Sequence, residues 1–262
     1  MLPRGLTELD KRTRSIALRV ASVIVFALGW ELSSARLDSL LFPSFTETVE
    51  ALAGLLLSPR LWEALWISNQ AMVLGFFLAV AVGIPLGLLM GRFRAAERYL
   101  DPYLSILYVT PKSALIPIVI MASGLGLLSR VLVVFISAIV VITINVRAGL
   151  RMIDPTWLEM ARSFGATEGQ LWRRVFLPGA LPAILTGLRL GLARAVSGMI
   201  TVELLLIALG IGQLMLYFRE TFEAAGLYAM VIVVVAEAVL LLQASRWLQG
   251  RITRWTSEGG AR

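Results

Sequence analysis

Four charged side chains lie inside long apolar stretches of the sequence. They are Lys112, Arg194, Glu203 and Glu237. Charged residues at membrane depth usually face a bundle interior or a water-filled cavity, where they bind solutes or relay protons. For each of them the structural alternative is a buried ion pair or a side chain that reaches the membrane interface. The residue types alone leave both interpretations open.

Lys112 differs from the other three because proline interrupts the apolar stretch around it. Pro111 precedes it, and the hydroxyl residues Thr110 and Ser113 flank the pair. A helix break is tolerated at membrane depth where the backbone lines a cavity. We expect Thr110, Lys112 and Ser113, together with Glu203, to line a translocation pathway in which the ammonium group attracts an anionic solute.

The residues that most enzymes need are missing. Histidine and cysteine are absent, which removes the commonest general base, the commonest metal ligand and all thiol chemistry. A phosphate-binding loop needs Gly-Lys followed by Ser or Thr, whereas Lys11 follows Asp10 and Lys112 follows Pro111. We therefore expect a protein without catalytic residues, a metal site, a bound cofactor or an ATPase site of its own.

The composition is that of a membrane protein. Hydrophobic residues make up 58% of the chain, charged residues only 16%, and the mean hydropathy is +0.82. The sequence predicts an all-α membrane protein with about six transmembrane helices, forming a single transmembrane domain over residues 1–262. The predicted spans are Ile16–Ser34, Leu65–Met90, Leu100–Ala122, Ser129–Leu150, Ala183–Leu209 and Gly226–Trp247.

The net charge of +7 is better explained by membrane topology than by nucleic-acid binding. With a cytoplasmic N-terminus, most basic residues fall in inside segments, as the positive-inside rule requires. The segments predicted to lie outside carry Arg36, Arg60, Arg130 and Arg219. Both termini are thus expected in the cytoplasm of a multi-pass protein of the bacterial plasma (inner) membrane. A basic segment before the first span also allows a cleaved signal peptide, but a retained helix gives the consistent topology.

The longest inside segment, residues 151–182, contains helix start and stop signals. Asp154-Pro155 predicts an N-cap with proline at the first helical position, and Gly165 predicts the helix end. Thr167 and Gln170 fit a capping box that starts a second helix, which we expect to end at Leu177 before Pro178. The product is either a pair of interfacial helices or a docking surface for a cytoplasmic subunit.

Part of this 151–182 loop resembles the EAA loop of binding-protein-dependent ABC importer permeases. The family pattern is Glu-Ala-Ala, three residues, Gly, nine residues, Ile, one residue and Leu-Pro. The chain has Glu159-Met160-Ala161, Gly165 and Val175-Phe176-Leu177-Pro178 at the same spacing. Residues 41–250 are similar to the nitrate/sulfonate/taurine branch of that family, with a departure over Leu204–Gly212.

The resemblance implies a type I ABC importer permease fold and a set of ATPase-coupling residues: Glu159, Ala161, Gly165, Leu177 and Pro178. It further implies a second permease copy, expected as a homodimer, two cytoplasmic ATP-binding subunits that consume the ATP, and an external solute-binding protein. The imported solute would be small, and an organic or inorganic anion such as nitrate or a sulfonate is expected.

Two other function classes are compatible with parts of the sequence. An ion-gradient-driven secondary transporter would use Glu203 and Glu237 as proton carriers, and a membrane scaffold would need no pathway at all. The intact spacing of the EAA-like segment argues against the first. Co-purification with an ATP-hydrolysing partner would count against the second.

Overall fold

The structure is a computed structural model that describes residues 4–37, 39–205 and 208–252, with the side chains of residues 17–37, 39–205 and 208–251. Every regular element in these ranges is helical, as the sequence predicts. The helices are α1 (Arg4–Leu37), α2 (Phe45–Leu57), α3 (Pro59–Arg92), α4 (Arg94–Val109), α5 (Lys112–Ser123), α6 (Leu127–Arg151), α7 (Pro155–Ser163), α8 (Glu168–Leu171), α9 (Leu177–Leu205), α10 (Gly210–Glu220) and α11 (Ala224–Ile252). A π-helical segment, Trp172–Phe176, joins α8 to α9.

Five helical segments are long and apolar enough to cross a membrane, and α4 with α5 makes a sixth if the pair counts as one span. The predicted number of spans is confirmed, and the third span is broken at the proline that interrupts it, as the sequence predicts. It consists of two helices bent by 104°. Thr110 is extended with φ −61° and ψ 126°, because the ring of Pro111 disfavours helical geometry in the residue before it.

Several residues behind the topology prediction lie outside the described side chains. They are Arg4, Lys11, Arg12, Arg14, Arg254 and Arg262. Leu206 and Ile207, within the predicted end of the fifth span, also lie outside the described residues. The cytoplasmic location of both termini therefore stays a prediction.

The chain forms two compact units, and the smaller one comprises residues up to Arg60 together with Tyr217–Val233. Its centre is Trp30 of α1, whose ring lies 6.3 Å from that of Phe42 and 5.8 Å from that of Tyr228, centroid to centroid. The indole N–H donates to the carbonyl oxygen of Pro43 at 2.9 Å. Trp30 is half-buried, and an indole N–H that is removed from water usually finds such a partner. This bond therefore ties the segment between α1 and α2 to α1.

The larger unit, Leu61–Leu216 with residues from Val234 onward, is organised by close helix approaches at glycine. A Cβ added at Gly87 of α3 would meet Val146 of α6 at 2.7 Å, and one at Gly191 of α9 would meet Ile142 of α6 at 2.6 Å. Small residues allow membrane helices to pack backbone against side chain. The glycines of the second and fifth predicted spans thus bring α3 and α9 against α6.

The second helix of the 151–182 loop does not end at Leu177, and that prediction is wrong. The chain continues as a helix from Glu168 to Leu205. Leu177 donates its backbone N–H to the carbonyl of Trp172, five residues back, instead of four. The wider π turn leaves room for the ring of Pro178. Pro178, which has no N–H to donate, comes directly after the position at which the hydrogen bonds change from five residues back to four. Proline is therefore absorbed into the helix rather than ending it.

Candidate functional site

The 151–182 loop begins with a rigidly capped short helix, α7. Asp154 is its N-cap and accepts a hydrogen bond from the backbone N–H of Thr156 at 2.9 Å. The Thr156 hydroxyl donates to the same carboxylate oxygen, and these two bonds hold the pKa of Asp154 below its ordinary value of 3.8. Pro155 occupies the first helical position, where the missing N–H costs nothing. The start of α7 therefore matches the sequence prediction.

The end of α7 explains the spacing of the EAA-like segment. Gly165 has a left-handed backbone with φ +75°, a conformation that glycine adopts without a steric cost. Its N–H donates to the carbonyl of Arg162 at 2.8 Å, and the N–H of Ala166 donates to the carbonyl of Ala161 at 3.0 Å. These bonds form a Schellman motif. Ala161 and Gly165 must be four residues apart for this geometry.

The outer face of α7 is apolar and unprotected. No residue of α7 is buried, and the side chains of Trp157, Met160 and Phe164 are 57%, 58% and 86% exposed. The carboxylate of Glu159 is exposed as well and forms no ion pair within the described part of the chain. Exposed apolar side chains clustered on a short helix are typical of an interaction surface.

The rest of the loop is anchored to the protein. Thr167 and Gln170 form the predicted capping box at the start of α8. Leu171 is 1% exposed and Phe176 is 4% exposed, so the segment after α7 buries apolar side chains that α7 lacks. Of the remaining predicted coupling residues, Leu177 is exposed and Pro178 is half-buried. The loop thus has a free half, which is α7, and an anchored half, which is the segment that follows α7.

A cavity of about 510 Å³ lies at the break between α4 and α5. The predicted pathway residues Thr110, Lys112 and Ser113 all line it. Its lining carries positive charge, and among the described residues that line the cavity there is no carboxylate. Its other polar side chains are Tyr108, Ser137, Arg194, Ser197 and Thr201.

Lys112 has a structural role that its sequence position did not reveal. Its ammonium donates to the carbonyl oxygens of Thr110 at 2.9 Å and Tyr108 at 3.3 Å, and also to that of Leu107. The last carbonyls of a helix lack partners inside the helix, and a cation there is favourable. Lys112 therefore caps the C-terminal end of α4 with all three of its donors. Arg194 of α9, on the same cavity wall, is the cation whose guanidinium is available to a solute.

Glu203, the remaining predicted pathway residue, does not line this cavity. It is completely buried and forms an ion pair with Arg130 at 3.4 Å. Its carboxylate also accepts a hydrogen bond from the Ser68 hydroxyl at 2.7 Å and one from the backbone N–H of Gly212 at 3.1 Å. Arg130, which is predicted to lie in an outside segment, is 5% exposed and lies in the first turn of α6. Arg130 is buried because the buried carboxylate of Glu203 requires a cation as its partner.

Glu237, the fourth intramembrane charge, also pairs within the protein. Its carboxylate accepts a hydrogen bond from the side-chain amide of Asn69 at 2.5 Å. Sequence reasoning missed Asn69, Ser68 and Arg130 as partners because they lie 73 to 168 residues away along the chain. A polar residue inside an apolar span was the only signal that could have pointed to Ser68 and Asn69.

Comparison with known proteins gives consistent matches. Residues 83–257 match the family model described as binding-protein-dependent transport system inner membrane component. The taurine transport system permease protein TauC of Escherichia coli (strain K12) is 29% identical, over 94% of this chain and 92% of that protein. The putative aliphatic sulfonates transport permease protein SsuC of Bacillus subtilis (strain 168) is 32% identical, over 77% of this chain and 73% of that protein.

A third relative and a solved structure extend the comparison. The bicarbonate transport system permease protein CmpB of Synechococcus elongatus is 29% identical, over 96% of this chain and 95% of that protein. The MetNI methionine ABC transporter, in an inward-facing conformation, has a TM-score of 0.62 at 23% identity, covering 74% of this chain and 95% of that chain. This structural likeness shows the fold.

The family model covers about two thirds of the chain, and its relatives are aligned over most of their lengths. The helical fold, the membrane-spanning segments and the structural neighbour agree with that match. The chain is therefore a multi-pass membrane protein that belongs to the family of binding-protein-dependent transport system inner membrane components, and it is the permease subunit of an ABC importer.

Proposed function

We propose that α7 is the surface on which a cytoplasmic ATP-binding subunit docks, and that the ATPase drives the import of a small anionic solute. The observation that carries the proposal is the exposed apolar face of α7, with Trp157, Met160 and Phe164 on a helix capped at both ends. A capped helix keeps its shape without burial, so it can present these side chains to a partner that supplies the missing apolar surface.

The residues of the EAA-like segment have separate parts in this docking. Ala161 and Gly165 supply the backbone bonds that end α7. The free carboxylate of Glu159 is available to a basic group of the partner. Leu177 and Pro178 lie where the loop enters α9, so they would pass a displacement of the loop into that span. This chain would supply no ATPase site, and the energy would come from the partner.

The assembly that we propose contains two copies of this chain, two ATP-binding subunits and an external solute-binding protein, in the bacterial inner membrane. The family match supports the ATPase and the binding protein as partner types. Both chain ends and the 151–182 loop would face the cytoplasm. ATP binding would close the ATPase pair, and the permease would switch between inward-open and outward-open states because the ATPase contacts differ between them.

The anionic character of the solute is supported by the cavity at the break between α4 and α5. Arg194 brings a positive charge and Ser197 brings a hydroxyl donor to the same wall, whereas no described carboxylate lines it. Charge-assisted hydrogen bonds of this kind suit sulfonate, nitrate and carboxylate groups. Relatives named for taurine, aliphatic sulfonates and bicarbonate favour the same class of solute.

Co-purification tests the docking surface. Phe164→Asp is expected to weaken binding of the ATP-binding subunit by roughly thirtyfold, about 2 kcal/mol, which is the size of an interface hot spot. Leu57→Asp is the matched control, because Leu57 ends α2 and has the same 86% exposure as Phe164. Equal retention of the ATPase by both variants would contradict the proposal, whereas selective loss with Phe164→Asp would support it.

A further inference from the structure

Arg92, the last residue of α3, joins the anchored half of the 151–182 loop to a membrane-spanning helix. We propose that it is a positioning residue, which transmits the movement of the loop into α3 and through it into the helices around the cavity. The inference rests on the proposed function, because it needs an ATPase that moves the loop. It concerns the route of the movement rather than the docking surface.

The Arg92 guanidinium contacts both ends of the segment that follows α7. One of its nitrogens lies 3.3 Å from the carboxylate of Glu168, the first residue of α8. The carbon at the centre of the guanidinium lies 5.5 Å from the ring centroid of Phe176, the last residue of the π segment. Arginine is suited to this double contact because a planar guanidinium can pair with a carboxylate and stack on an aromatic ring.

Glu168 is shared between α3 and α7. It accepts from Arg92 of α3 and from Arg162 of α7, the latter at 3.4 Å. One carboxylate therefore connects the docking helix to the membrane-spanning helix. A displacement of α7 changes the position of Glu168, and Arg92 is the contact through which α3 senses that change.

The direct path along the chain contains a junction at which a helix can bend. Between α8 and α9 the backbone passes through the π segment, where hydrogen bonds reach back five residues, and Pro178 then lacks a donor. π turns and prolines are the sites at which helices bend. Part of a movement of the loop can therefore be absorbed at this junction, and only the rest passes into α9. Arg92 supplies a second route that avoids it.

The inner end of α3 is closely attached to α6. A Cβ added at Gly87 would meet Val146 at 2.7 Å, and one added at Gly91 would meet Leu150 at 2.8 Å. There is no room at these positions for α3 to slide independently. A displacement that reaches Arg92 therefore moves α6 as well.

The helix before the cavity is tied to the same pair of helices. Arg147 of α6 forms an ion pair with Asp101 of α4 and another with Glu97 at 3.6 Å, and Arg151 also pairs with Glu97. Because α4 ends at the break beside Thr110, these contacts extend the route from Arg92 to the wall of the cavity. The route consists of α3, α6 and α4, and each link has a named contact.

The expected effect is on coupling rather than on folding. The side chain of Glu168 is 60% exposed and that of Arg92 is 26% exposed, and exposed ion pairs contribute little to stability. In proteoliposomes containing the ATP-binding subunit and the binding protein, Arg92→Glu and Glu168→Arg should each lower the solute imported per ATP hydrolysed by about three- to fivefold. The ATPase should still co-purify with both variants.

The double variant with both changes restores an ion pair of opposite polarity, so it should recover roughly half of the lost coupling ratio, while the contact with Phe176 stays lost. Arg92→Gln, which removes the charge without repulsion, should behave like Arg92→Glu. Arg94→Glu is the matched control, because Arg94 is an exposed arginine two residues further on, and it should couple normally.

The possible results separate this inference from the proposed function. If single variants couple like the wild type, or if the double variant is no better than either single variant, the role of Arg92 is overturned while docking stands. If the wild-type chain itself fails to bind the ATP-binding subunit, the proposed function fails, and the inference fails with it. Loss in the single variants with recovery in the double variant supports the inference.

Discussion

The 151–182 loop and the buried cluster around Glu203 both contain charged residues, but only the charged residues of the cluster have their partners buried inside the chain. In the cluster, Glu203 is fully buried and its carboxylate is paired with Arg130, Ser68 and Gly212. In the loop, Glu159 is exposed without an ion pair among the described residues, and the ring of Phe164 is exposed as well. The Glu203 carboxylate is paired inside the chain, whereas the loop has the features of one half of an interface.

This difference assigns different tasks to the two regions. A buried and fully paired carboxylate fixes one arrangement of α3, α6 and α10, because removing any partner leaves an unpaired polar group. A capped helix with an open apolar face has a fixed shape but no contact that fixes its position. The cluster is therefore expected to control stability, and the loop is expected to control coupling.

The largest effect is expected at Gly165. Gly165→Pro should abolish transport while membrane insertion persists, because the chain needs φ +75° at this position and proline is restricted to negative φ. Gly165→Asn is the matched control, since asparagine tolerates left-handed geometry, and it should retain most of the transport activity. Uptake of radiolabelled solute measures both. We expect Glu159→Lys to abolish transport as well. Normal uptake by both Gly165→Pro and Glu159→Lys would remove the loop from the mechanism.

A large effect on stability is expected at Glu203. Glu203→Ala leaves Arg130 buried without its partner, which typically costs about 3–5 kcal/mol. Thermal unfolding in detergent should show a clear decrease in Tm. Glu237→Gln is the control, because Glu237 is only half-buried and accepts one bond, from Asn69. A Tm for Glu203→Ala as high as that of Glu237→Gln would break the proposed contrast between cluster and loop.

The cavity should give an intermediate effect that depends on the solute. Arg194→Gln should raise the KM for an anionic solute by roughly tenfold, the loss expected for a hydrogen bond to a charged group, and should leave an uncharged solute unaffected. Lys112→Ala should lower uptake of both solutes equally, because Lys112 caps α4. If instead Lys112→Ala impairs only the anion, the ammonium is a solute ligand and its assignment as a cap is incomplete.

The smallest effect is expected at Asp154, the N-cap of α7. Its pKa is depressed by the bonds from Thr156, so the charged cap stabilises α7 above pH 3.8 and loses that effect as the pH falls through the lower folded-state pKa. Asp154→Ala should increase hydrogen exchange in the first turn of α7 at neutral pH, and Asp154→Asn should not. The difference between Asp154→Ala and wild type should shrink in acid. A difference that does not change with pH would contradict this account of the cap.

The structure of the 151–182 loop could be predicted from the sequence, whereas the pairing within the cluster around Glu203 could not. The N-cap at Asp154, the end at Gly165 and the capping box at Thr167 depend on residues within five positions of each other, so local patterns suffice. The pairing of Glu203 with Arg130 joins residues 73 positions apart, and no local pattern encodes it. The same is true of the contact between Arg92 and Glu168.

The prediction that proline ends a helix is right at Pro111 and wrong at Pro178, for a related reason. Pro111 breaks the third span as expected, because Thr110 before it is extended. Pro178 does not break the helix, since a π turn precedes it. Both residues carry the same local restriction, and the surrounding tertiary contacts, including buried Leu171 and Phe176, determine which outcome occurs.

The most direct test of the docking assignment is the accessibility of a single cysteine on α7. The chain contains no cysteine, so Met160→Cys introduces one reporter at a site that is 58% exposed. In sealed membrane vesicles a membrane-impermeant maleimide should label it only from the cytoplasmic side, and bound ATP-binding subunit should protect it. Labelling from the external side, or cytoplasmic labelling that the ATP-binding subunit does not reduce, would contradict the assignment.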